Sequence, residues 1–423
     1  MDEACATPSS NSTIDSVPAS PSEVKRLSPV KTGISLLGLS DLEFRLFDHY
    51  CSSVAPIISA HDHLRQMWQH EIPQQAKAHP YLMHSMLSIS ASHLCGAYAK
   101  QPLEQQPQKI LDVSPVIGES ILKTSFYHDS FDRTERQMQQ SHLYECHSLE
   151  QQRLAFQAYI PSLCTLNVEN QEALCAASAL LSLNALASTQ NRYCAATYQS
   201  RHPSPIDDWL EISVLVRGVN SVVQNAGATI MDGFLQPMLC HRRVEGTESD
   251  IESQIKQAVS PQVLSALDAL ALAIDQHTAL SVDKMILHAA LKFLKTSFAI
   301  VAVNADHESI VMVWSNLLDD QFFPLVKRRE PMALILLAYW TVLFGTFQER
   351  WWIGGLGIAI LRHIVEFLAQ PEDGNVCVQE GEYTLTYHSL KQHSDGASDL
   401  GAGKAKWREL LQWPCRQSGF REL

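Results

Sequence analysis

Sustained alternation of apolar and polar residues is almost missing from this chain of 423 residues. That excludes an architecture built on half-buried strands, whose side chains point alternately to two faces. The sequence also has no C-x-x-C spacing; its ten cysteines are scattered from Cys5 to Cys415. Scattered thiols in apolar context fit reduced, buried cysteines of an intracellular protein better than a disulfide framework. No apolar run follows a basic segment at the start, so a signal peptide is not expected. No apolar run looks long enough to cross a membrane, which takes roughly 20 residues. Positive charge is in deficit as well: 32 Lys and Arg stand against 45 Asp and Glu, a formal charge of -13. An acidic surface repels phosphate and argues against unaided nucleic-acid binding.

Catalytic signatures are absent too. There is no G-x-S-x-G nucleophile elbow. Gly401-Ala402-Gly403-Lys404-Ala405 fails the phosphate-loop pattern in its spacing and its last residue. Gly354-Gly355-Leu356-Gly357 resembles part of a dinucleotide loop, but no βαβ unit surrounds it. Small residues there let the helix pack against another backbone. His61-Asp62-His63 and His142 with Cys146 and His147 are the nearest approach to a metal set. Two ligands on one helix face do not make a zinc site, so no metal and no cofactor is expected. No catalytic residues are expected either, and an enzyme with an unfamiliar site remains only a third alternative.

Helical periodicity fills most of what is there. Residues 1–32 are rich in Ser, Pro, Thr and Ala and read as a disordered tail. Ser40-Asp41-Leu42-Glu43 has the form of a capping box, and order begins there. Pro56 interrupts the first helical pattern. Pro80 opens a central helix with the stripe Leu82, Met86, Ile89, His93 and Ala97. Residues 100–141 read as a loop, with helix returning at Ser141. Asn170 is placed to cap the next helix, and residues 190–205 read as a polar connector. Asp207 and Asp208 start another helix, where carboxylates suit the macrodipole. Residues 241–256 read as a charged loop, and Ser260-Pro261 as a strong helix start. Asp319-Asp320 reads as a solvated turn and Lys327-Arg328-Arg329 as a basic connector. Val376 to Tyr387 could hold a short strand pair. The greasiest stretch is Pro331 to Leu368, two helical runs around a Gln348-Glu349-Arg350 break, apolar on nearly every side. Such a helix belongs inside a core. The class is all-α, one large multi-helix domain over residues 40–415.

Four stretches in order carry a family resemblance. They are Trp68 to Leu94, Asp208 to Leu239, Pro331 to Leu368 and Trp407 to Pro414, with WLEISVLVRGV, ERWWIGG and WP at their centres. This set resembles the C-terminal regulatory domain of fungal Zn2Cys6 transcription factors, of the sterol uptake control protein type. The resemblance implies an all-α domain with an apolar ligand pocket, a nuclear or shuttling location, and control of genes, often those of secondary metabolism. By match it points to Trp340, Phe344, Phe347, Trp351, Trp352, Gly354 and Gly355 as ligand-binding, against a reading of plain core packing. The family's six-cysteine zinc cluster has no counterpart in these residues, since Cys5 and Cys51 are the only cysteines before Cys95. Direct DNA contact is therefore not expected. The expected partners are an apolar, sterol-like or polyketide-like small molecule and a DNA-binding transcription factor, with a homodimer left open. The alternative function is an apolar small-molecule sensor or carrier without gene control.

Overall fold

The computed structural model describes residues 38–59, 61–100, 126–194, 204–226, 230, 232–239, 248–303, 313–347, 349–369 and 400–419. All the regular structure among them is helical, with no strand. The expected tail over 1–32 and the expected strand pair at Val376 to Tyr387 lie outside the described residues.

Helix α1 (Asp41–His49) begins with the anticipated capping box: Ser40 Oγ accepts from Glu43 N, and Glu43 accepts from Ser40 N at 2.9 Å. The chain then stays helical where a break at Pro56 is expected. A π-turn over Tyr50–Val54 runs into α2 (Ala55–Ile58), and Pro56 falls at the start of α2, directly after the π-turn. Short helices α3 (Asp62–Gln66) and α4 (Ile72–Ala76) follow. The long helices α5 (Pro80–Lys100), α6 (Phe126–Leu163) and α7 (Gln171–Cys194) then form one packed layer.

The loop assigned to residues 100–141 is helical from Phe126, and α7 continues to Cys194, beyond the connector expected from residue 190. Asn170 does not cap forward; its Oδ1 turns back to accept from Asn167 N at 2.9 Å. The many charged and amide residues between Phe126 and Ser141 hid the helix from a reading based on apolar spacing.

The second half comprises α8 (Pro205–Ala226), α9 (Gln236–Leu239), α10 (Glu248–Ala258), α11 (Pro261–His277), α12 (Ser281–Val303), α13 (Val313–Leu317) and α14 (Phe322–Lys327). It closes with α15 (Pro331–Thr341), a 3-10 segment Val342–Phe347, α16 (Leu356–Ala369) and α17 (Leu400–Gln417). Helix α10 replaces most of the loop expected at 241–256; only Ile255 and a few neighbours of this charged helix reach the core. Two helices are, by length and composition, apolar enough to cross a membrane: Gln171–Tyr193 and Ser281–Val303. The expectation that none exists does not hold. Most of the first is buried inside the protein and half of the second.

Two hydrophobic cores result. One gathers α1 to α5, the start of α7 and Leu235. The other gathers the end of α7, α8 and α10 to α17. At its centre stands α15, in which every residue from Met332 to Thr341 is buried. Leu183 and Trp351 touch both cores.

Between α5, α6 and α7 runs a buried polar seam. Ser92 Oγ donates to Asn184 Oδ1 at 2.7 Å and lies 2.7 Å from Ser148 Oγ. Ser88 Oγ donates to Ser148 O at 2.9 Å, and Asn191 Nδ2 donates to Ser92 O at 2.7 Å. Small hydroxyls let the three helices approach closely while satisfying one another.

Ion pairs tie the entry of α8 to its neighbours. Asp208, 3% exposed, accepts from Arg192 at 2.9 Å and from Tyr193 at 2.5 Å. Asp207 accepts twice from Arg329 Nη2, at 2.7 and 2.8 Å. These carboxylates do more than favour a helix start. The basic cluster at 327–329 is likewise structural: Arg328 pairs with Asp283 and Arg329 with Asp207. Asp320, expected to be merely solvated, pairs with Arg217.

Arg329 sits at φ 60°, in the left-handed region that L side chains avoid. Its N–H donates to Val326 O and Glu330 N–H to Leu325 O, each at 2.9 Å, the pattern that ends a helix with a left-handed residue. Glu330 then caps α15 by accepting from Ala333 N at 2.7 Å. Replacing Arg329 by Ala and by Gly removes the same ion pair, but only Gly relieves the strain. Denaturant unfolding of the two variants should find Arg329→Gly more stable than Arg329→Ala by about 1 kcal/mol.

Candidate ligand site

Helices α8, α13, α14 and α15 and the 3-10 segment after α15 bring six aromatic rings together. Trp340 on α15 lies 5.9 Å from Trp209, 5.7 Å from Trp314 and 4.5 Å from Phe344, the last edge to face. Phe322 meets Trp314 at 5.4 Å, and Phe323 stacks on Trp209 at 5.7 Å. Arg217 lies over the Phe323 ring at 4.8 Å, closing the outer edge of the block. Trp340, Phe344 and Phe347 are all at most 5% exposed. The sequence reading named these three and missed Trp209, Trp314, Phe322 and Phe323. Their signal was available, since each falls in a run of helical apolar spacing, but nothing in the sequence says that those runs meet.

Trp351 and Trp352 occupy the turn between the 3-10 segment and α16. Trp352 is buried in the second core. Trp351 reaches the other way, with its ring edge-to-face on His93 of α5 at 4.7 Å. Residues predicted as one group are thus divided: Trp340 and Phe344 lie in the aromatic block, Phe347 and Trp352 are buried elsewhere in the second core, and Trp351 lies at the joint between cores.

Gly354 and Gly355 do not serve the backbone packing expected of them. They lie against a side chain: Gln190 Oε1 of α7 accepts from Gly355 N at 2.6 Å, and a Cβ on Gly354 would come within 2.8 Å of Gln190 Nε2. Gly357 makes the close approach instead, its absent Cβ 2.8 Å from Phe344 Cβ and 3.2 Å from Thr341 O.

Three buried indole donors have no hydrogen-bond partner: Nε1 of Trp209, Trp351 and Trp352. By contrast, Trp314 Nε1 donates to Ala290 O at 3.1 Å. An unpaired buried N–H costs about 1–3 kcal/mol, so an acceptor atom brought to one of these groups would recover part of that cost. A separate open cleft of about 370 Å3 lies at the other end of the first core, lined by residues that include His79, Tyr81, Ser162, Asn167 and Glu169. No predicted site residue lines it.

The metal candidates do not assemble. Cys146 Sγ lies 3.8 Å from His142 Nε2, and His142 Nδ1 turns to Glu145 at 3.4 Å. Among the described residues, no group of three or more His, Cys, Asp or Glu could hold a metal ion. Cys95, Cys175 and Cys415 are buried as expected, but Cys146 and Cys164 are exposed. Burial raises the Cys175 thiol to about 12, so it stays protonated and unreactive.

Next to Trp351, His49 Nε2 and His93 Nδ1 face each other at 2.9 Å. Burial holds His49 down at about 4, against a weaker upward pull from Asp48. Unfolded His49 takes up its proton near 6.5 and folded His49 only near 4. This contribution is complete above pH 6.5 and declines as pH falls to 4, by about 3 kcal/mol in all. A His49→Gln variant should show a flatter stability–pH profile across that window. For the glycines, Gly357→Ala should destabilise by about 2 kcal/mol, because backbone and Phe344 block relief. Gly354→Ala meets only an amide end and should cost less in the same thermal-unfolding comparison.

Residues 45–210 match the fungal specific transcription factor domain. The stretch runs from α1 to the start of α8 and includes the polar seam. The chain is 33% identical over 112 residues to Sterol uptake control protein 2 of Saccharomyces cerevisiae (strain ATCC 204508 / S288c), which is 26% of this chain and 12% of that protein. This chain therefore spans a small part of that relative's length. The candidate residues from Trp340 to Gly355 lie outside residues 45–210.

Proposed function

With a fungal specific transcription factor domain over residues 45–210, we propose that the protein is a transcription regulator, and that its regulatory domain extends through residues 40–415. The match over 45–210 carries this reading. The continuity of packing supports the longer boundary: α7 contributes to both cores, and Leu183 and Trp351 touch each of them. The reading places the protein's action in the nucleus and its targets in a biosynthetic gene set of a fungus, of the secondary-metabolite kind.

DNA reading is assigned to a partner polypeptide that carries a zinc cluster. The net charge of -13 supports this division of labour, since phosphate contact needs a basic face. The paired state of Arg328 and Arg329 supports it further, because those cations are already committed to Asp283 and Asp207.

A second reading adds a ligand: an apolar small molecule that carries at least one oxygen acceptor, held near Trp340, Phe344, Phe347, Trp351, Trp352, Gly354 and Gly355. The unpartnered indole N–H groups of Trp209, Trp351 and Trp352 favour it. Apolar burial would drive binding at about 25 cal/mol per Å2, and an N–H···O bond would fix orientation. The same site would serve a sensor or carrier that controls no genes.

Transcript profiling of a deletion strain separates the readings. A regulator should change a block of co-regulated biosynthetic genes, and chromatin immunoprecipitation of the tagged protein should lose its signal when the zinc-cluster partner is deleted. An unchanged transcriptome would leave the sensor or carrier and the enzyme as the remaining alternatives. For the ligand, titration with ergosterol as the probe should quench tryptophan emission in the native protein and less so in Trp352→Phe.

A further inference from the structure

Helix α6 turns Tyr144, Ser148, Gln151, Ala155 and Tyr159 inward, all of them buried. Its outer side is not polar throughout. Met138, Leu149 and Ile160 are 56%, 56% and 59% exposed. They stand eleven residues apart, which is three helical turns, so they line up on one ridge. The ridge runs about 33 Å from Met138 to Ile160 at 1.5 Å per residue.

We propose that this ridge is the docking surface for a second copy of the chain, packed antiparallel about a two-fold axis through Leu149. The order of residues carries the argument. In such a pair, a residue a given number of places before Leu149 faces the residue the same number of places after it. Leu149 meets Leu149 of the partner subunit. Met138, eleven before, meets Ile160 of the partner subunit, eleven after. His142, seven before, meets Phe156 of the partner subunit. Glu145, four before, meets Arg153 of the partner subunit. Apolar thus faces apolar at three levels, and opposite charges face each other on both flanks of the axis. No two like charges fall directly opposite.

The flanking charges are available for this. Glu145 and Arg153 side chains are 47% and 52% exposed. Within one chain Arg153 holds Glu150 at 2.7 and 2.8 Å, and Glu145 has only the 3.4 Å contact to His142. Across the axis, Arg153 would sit between its own Glu150 and Glu145 of the partner subunit. A parallel pairing would set each charge beside its own like. One helix ridge covers less than the about 800 Å2 per partner of a standard interface, so the dimer dissociates on dilution.

Sedimentation velocity of the full chain over a concentration series tests this. The native protein should move from monomer to dimer. Leu149→Asp should raise the dissociation constant at least about tenfold by placing two carboxylates on the axis. Arg153→Glu alone should also weaken the dimer, and the double variant Glu145→Arg with Arg153→Glu should restore it, since the swap re-forms both pairs. All these positions are exposed, and circular dichroism should show each variant folded. A protein that stays monomeric up to about 100 μM, well above the concentration where a specific weak dimer forms, overturns the proposal. So does a dimer indifferent to Leu149→Asp, or a charge swap that fails to recover what Arg153→Glu lost.

Discussion

Helix α15 has no solvent side. From Met332 to Thr341 each residue is buried, and that single constraint dictates the arrangement of the second half. A helix apolar on all faces needs partners all round it. They are α11, α12, α14, α16 and α17, with the 3-10 segment continuing from its end. Trp209 and Trp314 complete the wall against Trp340. The strained cap at Arg329 and the carboxylate cap at Glu330 follow from the same need, because the chain must enter this enclosure by a sharp turn.

The first half adds a different kind of contact to its own hydrophobic core. The Ser88–Ser92–Ser148–Asn184 seam joins α5, α6 and α7 through side chains that lack the volume to form a greasy core. Hydrogen bonds are directional, so this seam sets helix register where apolar contact alone would let the helices slide. The two halves then meet through α7 and through the turn at Trp351, where an indole edge, a histidine pair and the Gln190–Gly355 bond lie side by side.

The match to the fungal specific transcription factor domain ends at residue 210, before the aromatic block closes. What can be said of the block comes from its own chemistry: dense aromatic packing, an indole at Trp314 that donates to Ala290 O and one at Trp209 whose N–H has no partner.

Much of this was legible in the residues themselves. Local signals marked the capping box at Ser40, the proline starts at Pro80, Pro261 and Pro331, and the burial of α15, because each depends only on neighbours in the chain. The helical starts at Phe126 and Glu248 were not read from the sequence, because in α10 the short stripe Ile251, Ile255 and Ala258 stands among many charged and amide residues. Composition and periodicity determined the all-helical class and which helix lies innermost. Only tertiary structure decided that Asp208 would be buried against Arg192, that Arg329 would reach Asp207 across 122 residues, and that Trp351 would turn from its neighbours toward α5. The reason is physical: a periodic pattern records which face is apolar, but not which other face it meets, and charge pairs and ring contacts exist only after those faces have met.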